Sequence, residues 1–192
     1  NDGYLLQHFQ PLGVPVLGIE PAANVAREAV ARGVPTLVEF FGVALARKLV
    51  AEGKRADLIA GNNVLAQVPD LNDFVAGMAL LLKPEGVITL EFPHIERLVA
   101  ENQFDTIYHE HFSSFSLTTV DIMARRHGLK LIDVEELPTH GGSLRVYLAH
   151  ERSGRVDSPA VAALLEREER RGFREMTVYL SFGERARRAK RD

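Results

Sequence analysis

The residue types best suited to proton transfer are concentrated in one short stretch, residues 108–112, which reads YHEHF. Histidine has an ordinary pKa of about 6.5, so it exchanges a proton readily near neutral pH. If the stretch is extended, His109 and His111 face the same side and could chelate a metal, with His94 or His140 as a third ligand. Alternatively, one histidine is a general base assisted by tyrosine or glutamate, or the histidines are hydrogen-bonded parts of the structure. We favour proton transfer and expect no metal, because no further carboxylate or histidine lies at ligand spacing.

A second group of polar residues follows the predicted strands of the first half of the chain. It consists of Asp2-Gly3, Glu20 and Asn62-Asn63. In open parallel sheets, ligands bind where the loops at the carboxyl ends of the strands converge. An acid there can accept hydrogen bonds from both hydroxyls of a ribose, although acids at strand ends also serve as helix caps. Neither G-x-G-x-x-G nor G-x-x-x-x-G-K occurs, which disfavours a dinucleotide dehydrogenase or a P-loop enzyme.

A third motif is THGGSLR at residues 139–145. Its adjacent glycines would let the backbone N–H groups approach a ligand closely, and Arg145 could pair with a phosphate. The alternative is a simple glycine turn between two strands. We assign His94, His140 and Arg145 to the substrate side of the site.

The elements that must position these residues follow an alternating pattern. Short apolar runs predict strands at 14–20, 34–41, 57–60 and 87–92. Helical spacing predicts helices at 22–32 and 43–52 and another that begins after Asp70 as its cap, and Lys83–Gly86 reads as a turn. A loop at 93–115, a helix at 118–126 and a hairpin of strands 130–137 and 143–150 complete the pattern. It predicts an α/β fold whose mainly parallel sheet is flanked by helices and has an antiparallel hairpin near its C-terminal end.

Composition narrows the class of protein. The 192 residues are 46% hydrophobic and 26% charged, which is typical of a globular domain. The absence of cysteine excludes disulfides, thiolate metal sites and a cysteine nucleophile. The net charge of -3 does not indicate a nucleic-acid partner, and no apolar run approaches the roughly 20 residues of a membrane span. Residues 151–192 are net basic; we interpret them as a solvated helix at 160–174 and a basic end at 185–191, with a nucleic-acid arm as the minor alternative.

Longer stretches carry a family resemblance. The segment at 61–94, GNNVLAQVPDLNDFVAGMALLLKPEGVITLEFPH, resembles the later sheet of a class I S-adenosylmethionine-dependent methyltransferase with a Rossmann-like fold. The stretches NDGYLLQHF, LGIEPAANVA, QFDTIYHEHFSSFSL and ELPTHGGSLRVY together resemble the sugar C-methyltransferases, which act on nucleotide-linked keto-deoxysugars. The resemblance spans residues 1 to about 150. It implies S-adenosylmethionine as cofactor, a nucleotide-linked keto-sugar as substrate and a cytoplasmic enzyme.

The resemblance also implies roles for individual residues. Residues 1–3 match the end of a loop against the methionine part of the cofactor, Glu20 matches the ribose-binding acid, and residues 62–63 match a loop that lines the cofactor pocket. The cofactor-site residues are therefore Asn1, Asp2, Gly3, Glu20, Asn62 and Asn63. The catalytic group matches Tyr108, Glu110 and His111. We assign His111 as the base that removes the proton beside the ketone, with Tyr108 as a competitor and Glu110 as the orienting residue.

Two departures from the family pattern affect the expected activity. The family commonly has histidine where this chain has Gln67, and an amide cannot act as a base at neutral pH. The chain also opens on Asn1 without methionine. The resemblance implies a catalytic core at 1–150 that lacks its first strand, a helical extension at 151–192 that begins a truncated C-terminal region, and a zinc-binding segment and a further domain present only in relatives. An inactive or cofactor-binding fragment is thus the alternative to an active enzyme.

Overall fold

The computed structural model describes residues 1–190, which form six strands, seven α-helices and several short 3-10 turns. The strands are Gly18–Ile19 (β1), Thr36–Leu37 (β2), Ala56–Asn62 (β3), Leu82–Pro93 (β4), Leu129–Leu137 (β5) and Ser143–His150 (β6). The helices are Ala23–Ala31 (α1), Val43–Ala51 (α2), Leu71–Leu81 (α3), Ile95–Ala100 (α4), Leu117–Arg126 (α5), Pro159–Arg170 (α6) and Met176–Ala189 (α7). The 3-10 turns are Leu6–His8, Gln10–Leu12, Leu65–Gln67, Phe104–Thr106 and Thr139–Gly141.

The larger sheet has the strand order β3-β4-β6-β5. Strands β3 and β4 are parallel, as a connection through a crossover helix requires, and α3 is that helix. Strand β6 lies antiparallel between β4 and β5. Strands β1 and β2 form a separate parallel pair. These pairings confirm the predicted α/β class, with parallel strands first and an antiparallel hairpin near the C-terminal end.

One face of the larger sheet forms the main core. Ile88, Leu90 and Phe92 alternate along β4 and are fully buried. They pack with alternate residues of β6 and with apolar side chains of α3, α5 and α6. Because successive side chains of a strand point to opposite faces, Glu91 lies on the other face of the sheet. The core therefore fixes the position of β4, and β4 in turn holds a buried acid near its carboxyl end.

Helix α3 begins where the sequence predicts. The Asp70 side chain accepts a hydrogen bond from the Asp73 backbone N–H at 3.0 Å, which satisfies a free donor of the first turn. Farther along, Gly77 lies against the backbone just before α2: a Cβ built on it would come 2.7 Å from the Gly42 carbonyl carbon. The two helices can approach this closely because Gly77 has no side chain.

Four of the predicted segments differ from the structure. Strands β1 and β2 have only two residues each, where runs of 14–20 and 34–41 were expected. The predicted turn at Lys83–Gly86 lies inside β4, where the pairing with β3 shifts register. The predicted loop at 93–115 contains helix α4, which buries Leu98 and Val99 in a small cluster with Phe173 and Phe182. This last partnership joins residues far apart in the chain, so local periodicity does not reveal it.

The two C-terminal helices differ in how they pack. Val161 and Leu164 of α6 belong to the main core, whereas Phe182 of α7 packs in the smaller cluster with α4. Residue 191, the last of the predicted basic end, lies outside the described residues, as does residue 192. No helix in residues 1–190 has the length and apolar character that crossing a membrane requires.

Candidate active site

The predicted cofactor residues come together around the start of the chain. The Asn1 amino group contacts the Glu20 carboxylate, and the other oxygen of that carboxylate accepts the Ala22 N–H at 2.8 Å. The Asn62 side-chain amide donates to the Tyr4 hydroxyl at 3.3 Å. The loop at residues 1–4 therefore lies against the carboxyl ends of both β1 and β3, as the open-sheet argument predicts.

Two residues of this loop have clear structural roles. Gly3 has a φ of +81°, and a Cβ on it would meet Val34 at 3.1 Å, so the loop needs glycine here. The Asp2 carboxylate pairs with Arg32 at 2.7 Å, just beyond the end of α1. These contacts hold the loop in place while the backbone of residues 1–3 stays beside Glu20.

Asn63 has an unusual conformation at the end of β3. Its φ of 52° is in the left-handed region, which non-glycine residues seldom adopt. Its backbone N–H donates to the Glu91 carbonyl at 2.7 Å, which keeps the turn against β4. Its side-chain Oδ1 is buried and accepts no hydrogen bond from the described part of the protein. A buried acceptor without a donor is rare, so this oxygen is available to a ligand that brings an N–H or O–H group.

The catalytic candidates lie in an irregular segment, residues 101–116, which we call the catalytic segment. Tyr108 to His111 form a turn in which the His111 N–H donates to the Tyr108 carbonyl at 3.0 Å. This stretch is therefore a turn, so the extended geometry that would place His109 and His111 on one side is not present. His109 and Glu110 are exposed.

The imidazole of His111 is held in a defined orientation. Its Nδ1 lies 3.0 Å from the Thr106 carbonyl, and since a carbonyl only accepts, Nδ1 carries the proton of the neutral ring. Its Nε2 then accepts a hydrogen bond from the Tyr108 hydroxyl at 3.3 Å. The two rings are 4.4 Å apart. This is the arrangement of a base whose one nitrogen is oriented and whose other nitrogen can take a proton.

The segment joins the cofactor region through residues 62–67. The Ser113 N–H donates to the Ala66 carbonyl at 3.3 Å, and Ala66 belongs to the 3-10 turn that follows Asn63 and ends at Gln67. Gln67 is exposed. The residue that departs from the family pattern thus lies beside the catalytic segment.

A buried acid that the sequence analysis missed lies next to both regions. Glu91 is 7% exposed, pairs with Asn62 across β3 and with Arg145 across β6, and binds the Thr139 hydroxyl at 2.9 Å and the Arg145 guanidinium at 2.8 Å. The hydrogen bond from Arg145 to Glu91 is the main reason why the pKa of Arg145 is raised. An acid inside the apolar run VITLEF is the sequence signal that could have revealed it. Arg145 therefore pairs with Glu91, and about one-third of its side chain stays exposed.

His140 lies in the turn between β5 and β6. Its φ is 54°, a left-handed value, and its side chain is exposed. Gly141 follows, and its carbonyl accepts a hydrogen bond from the Gln103 amide at 2.8 Å. The turn thus touches the catalytic segment, which keeps His140 near it.

His94 requires a correction. It was assigned to the substrate side, but it is 1% exposed and its Nε2 donates to Glu168 at 2.8 Å. A side chain that is this buried and already paired has no open face for a substrate. Glu168 comes from α6, more than 70 residues later, and local sequence patterns do not indicate this pairing.

Three ligand-type side chains cluster here: within residues 1–190, His94, Glu96 and Glu168 form the one such group close enough to hold a metal. Neither His109 nor His111 belongs to it, so the alternative of an H-x-H metal site finds no support in these residues. The carboxylate of Glu96 is bonded to the guanidinium groups of Arg167 and Arg171. Because two arginines occupy the oxygens of Glu96, the cluster is a buried ion-pair network rather than an open set of metal ligands.

Comparison with protein families decides the class. Residues 1–134 match the family model described as a methyltransferase domain. Residues 138–192 match the model described as a C-methyltransferase C-terminal domain. The chain therefore belongs to the methyltransferase domain family.

One curated relative can be compared directly. C-methyltransferase NovU of Streptomyces niveus is 36% identical over 182 residues, which is 95% of this chain. The chain spans 43% of the length of NovU.

Solved structures share the fold. The PH0226 protein of Pyrococcus horikoshii OT3 has a TM-score of 0.62 at 17% identity, covering 78% of this chain and 77% of its own. Magnesium protoporphyrin IX methyltransferase (ChlM) of Synechocystis PCC 6803, solved with SAH bound, has a TM-score of 0.61 at 13% identity and covers 78% and 70% of the two chains. The Rossmann-like methyltransferase fold is thereby confirmed.

Proposed function

We propose that this protein transfers a methyl group from S-adenosylmethionine to a carbon beside the ketone of a nucleotide-linked deoxysugar. The observation that carries the proposal is the orientation of His111, whose Nδ1 is fixed by the Thr106 carbonyl and whose Nε2 faces the Tyr108 hydroxyl. A carbon next to a ketone becomes a nucleophile only after losing a proton, so a C-methyltransferase of this kind needs such a base.

The cofactor region offers suitable groups for S-adenosylmethionine. The Glu20 carboxylate could accept hydrogen bonds from ribose hydroxyls, and the unpartnered Asn63 Oδ1 could accept from an amino group of the cofactor. When bound, the cofactor supplies an electrophilic methyl group on its sulfonium. The predicted set of Asn1, Asp2, Gly3, Glu20, Asn62 and Asn63 remains our assignment for this region.

In the proposed reaction, Nε2 of His111 takes the proton from the carbon beside the ketone, and the electron pair moves to the carbonyl oxygen as an enolate. The Thr106 carbonyl orients the ring and stabilises the imidazolium that forms. The Tyr108 hydroxyl, 3.3 Å from Nε2, can donate to the enolate oxygen or exchange roles with His111 as the base. Glu110 is exposed beside them and can orient or polarise the pair.

On the substrate side, Arg145 and His140 are the remaining assignments. Arg145 is about one-third exposed beyond its pair with Glu91, so its outer face could bind a phosphate of the nucleotide. We also propose that residues 1–150 are the catalytic core and that 151–192 begin a C-terminal region; α6 nevertheless packs into the core. Cytoplasmic location remains a prediction.

The test separates proton removal from methyl transfer. We would incubate the protein with a nucleotide-linked keto-deoxysugar in D₂O without cofactor and follow deuterium at the carbon beside the ketone by NMR. His111→Ala should lower the exchange rate by about 10²-fold or more, the usual contribution of a general base, while the matched variant His109→Ala should keep it. Equal rates in both variants, with no methylated sugar after adding S-adenosylmethionine, would refute the proposal.

The second candidate is a domain that binds the cofactor without turnover, and Gln67 beside the catalytic segment favours it. This candidate predicts binding of S-adenosylhomocysteine by calorimetry with no deuterium exchange and no methylation by the natural chain. Gain of exchange in Gln67→His would identify the missing histidine as the cause. Exchange by the natural chain would exclude this candidate.

A further inference from the structure

Glu168 binds the residues that flank the catalytic segment, His94 before it and Leu117 and Thr118 after it, which we call its two ends. Before the segment, His94 donates from Nε2 to Oε1 of Glu168 at 2.8 Å. After the segment come Leu117 and Thr118, the first residues of α5. Their backbone N–H groups donate to the two carboxylate oxygens at 2.7 and 2.8 Å. The Thr118 hydroxyl adds a bond of 2.6 Å. One side chain of the C-terminal part of the chain thus joins the two ends of residues 94–118.

The backbone also joins the two ends directly, which keeps them close together. The Ile95 N–H donates to the Phe115 carbonyl at 3.0 Å, and His94 and Phe115 form an isolated parallel bridge. Between these anchors, most side chains around the Tyr108–His111 turn are exposed. The position of the turn therefore depends on how firmly its ends are held, because the turn has little core of its own.

We propose that Glu168 is a positioning residue: by holding both ends of the catalytic segment, it sets the place and orientation of Tyr108 and His111. The proposal rests on the function proposed above. Glu168 does not reach the reacting atoms, because it is fully buried.

The carboxylate is well matched to this task. Its four partners are all donors, so two negatively charged oxygens can satisfy every one of them. Burial alone would raise the pKa of Glu168, but the hydrogen bonds from His94, Thr118 and Leu117 outweigh it, and the pKa lies below the ordinary value. A glutamine would present one oxygen and one NH₂ group, and the NH₂ group would face donors.

Charges around Glu168 come from every element that packs there. His94 precedes α4, Glu96 lies in α4, and Arg167 and Arg171 belong to α6 and its end. Tyr179 of α7 has a raised pKa, caused first by burial and then by the negative charge of Glu168. The arginines bond Glu96 rather than Glu168, so the charge of Glu168 is balanced mainly by its hydrogen-bond donors and His94.

The experiment compares hydrogen–deuterium exchange of backbone amides in the whole chain for the natural protein and Glu168→Gln. The control is Glu166→Gln, which lies on the same helix but has a side chain that is 70% exposed and pairs with Arg170. We expect amides of residues 104–113 to exchange about tenfold faster in Glu168→Gln, a typical effect of losing a hydrogen bond to a charged group. We expect no change in the control.

Activity gives the second readout. Glu168→Gln should lower kcat for methylation by about tenfold or more while the Kd for S-adenosylhomocysteine stays within about twofold, since the cofactor region is held by other contacts. Should Glu168→Gln not fold, Thr118→Val removes one donor and should give a smaller change of the same kind. Faster exchange spread evenly over the chain, or unchanged exchange in residues 104–113, would overturn the proposal. A natural protein without methylation would refute the proposed function, while the exchange data would still test Glu168.

Discussion

At the scale of single residues, the site divides side chains between those that are held and those that remain available. The His111 ring is oriented by one nitrogen, and its other nitrogen accepts from a tyrosine hydroxyl. Asn63 has a buried oxygen without a donor, and Glu20 combines a helix-start contact with a carboxylate at the end of β1. In contrast, His94 is buried with its Nε2 bonded to a carboxylate, and the Glu91 carboxylate is engaged by two protein donors. Residue type alone does not separate these two groups.

The proposed role of Glu20 leads to a binding prediction. Glu20→Ala removes the acceptors that would bind ribose hydroxyls, so the Kd for S-adenosylhomocysteine should rise by about 10- to 100-fold, the range expected for hydrogen bonds to a charged group. Titration calorimetry measures this change. Glu28→Ala, at an exposed position of α1, serves as the control and should bind as the natural protein does. Unchanged affinity in Glu20→Ala would remove Glu20 from the cofactor site.

At the scale of elements, the contact between α2 and α3 depends on Gly77. Alanine favours a helix over glycine by about 1 kcal/mol, which would stabilise α3. A Cβ at this position, however, would lie 2.7 Å from the Gly42 carbonyl carbon and 2.9 Å from its oxygen, and a backbone cannot move aside as a flexible side chain can. Such overpacking typically costs about 1–3 kcal/mol. The steric effect should therefore exceed the gain in helix propensity.

We expect Gly77→Ala to lower the free energy of unfolding by about 1–2 kcal/mol, measured by urea denaturation. Gly183→Ala in α7 is the matched control, because a Cβ there meets no atom within 4 Å. It should raise stability by up to about 1 kcal/mol through helix propensity alone. If the free energy of unfolding changed in the same direction in both variants, the contact with Gly42 would not limit the packing of α3.

At the scale of the whole molecule, helix α6 is tied to the body by buried or partly buried charges. Glu168 of α6 binds the start of α5 and His94, and Glu136 of β5 binds Arg167 of α6. The pKa of Glu136 is lowered, first by its hydrogen bond from Arg167. Both carboxylates thus favour the ionised form in the folded state. Attachment of α6 is therefore linked to pH.

The direction of this linkage is definite. A carboxylate with a lowered folded-state pKa binds protons more readily when unfolded, so its contribution to stability is present above the unfolded value of 4.5 and is lost as the pH falls through the folded value. Urea midpoints should therefore fall between pH 6 and about pH 3, and the fall should be shallower in Glu168→Gln than in Glu166→Gln. Equal slopes would mean that Glu168 does not contribute to the acid sensitivity.

Much of the architecture could be predicted because it depends on local periodicity and on end signals. Helix α3 begins at its Asp70 cap, and β6 has its predicted bounds. Strands β1 and β2 were overestimated, since an apolar run shows that a segment can pair but not how many residues find a partner. Helix α4 was missed because its apolar side chains pack with Phe173 and Phe182, which no nearby residue indicates.

The sequence by itself determined the α/β class, the residues able to transfer protons and the loops at the strand ends, because these follow from residue type and short-range spacing. Only the tertiary structure decided which of them are free to act. It turned residues 108–111 so that Nε2 of His111 faces the Tyr108 hydroxyl, and it buried His94 against Glu168 from α6. Hydrogen-bond partners far apart in the chain set the orientation and burial of a side chain, and these contacts exist only after the chain has folded.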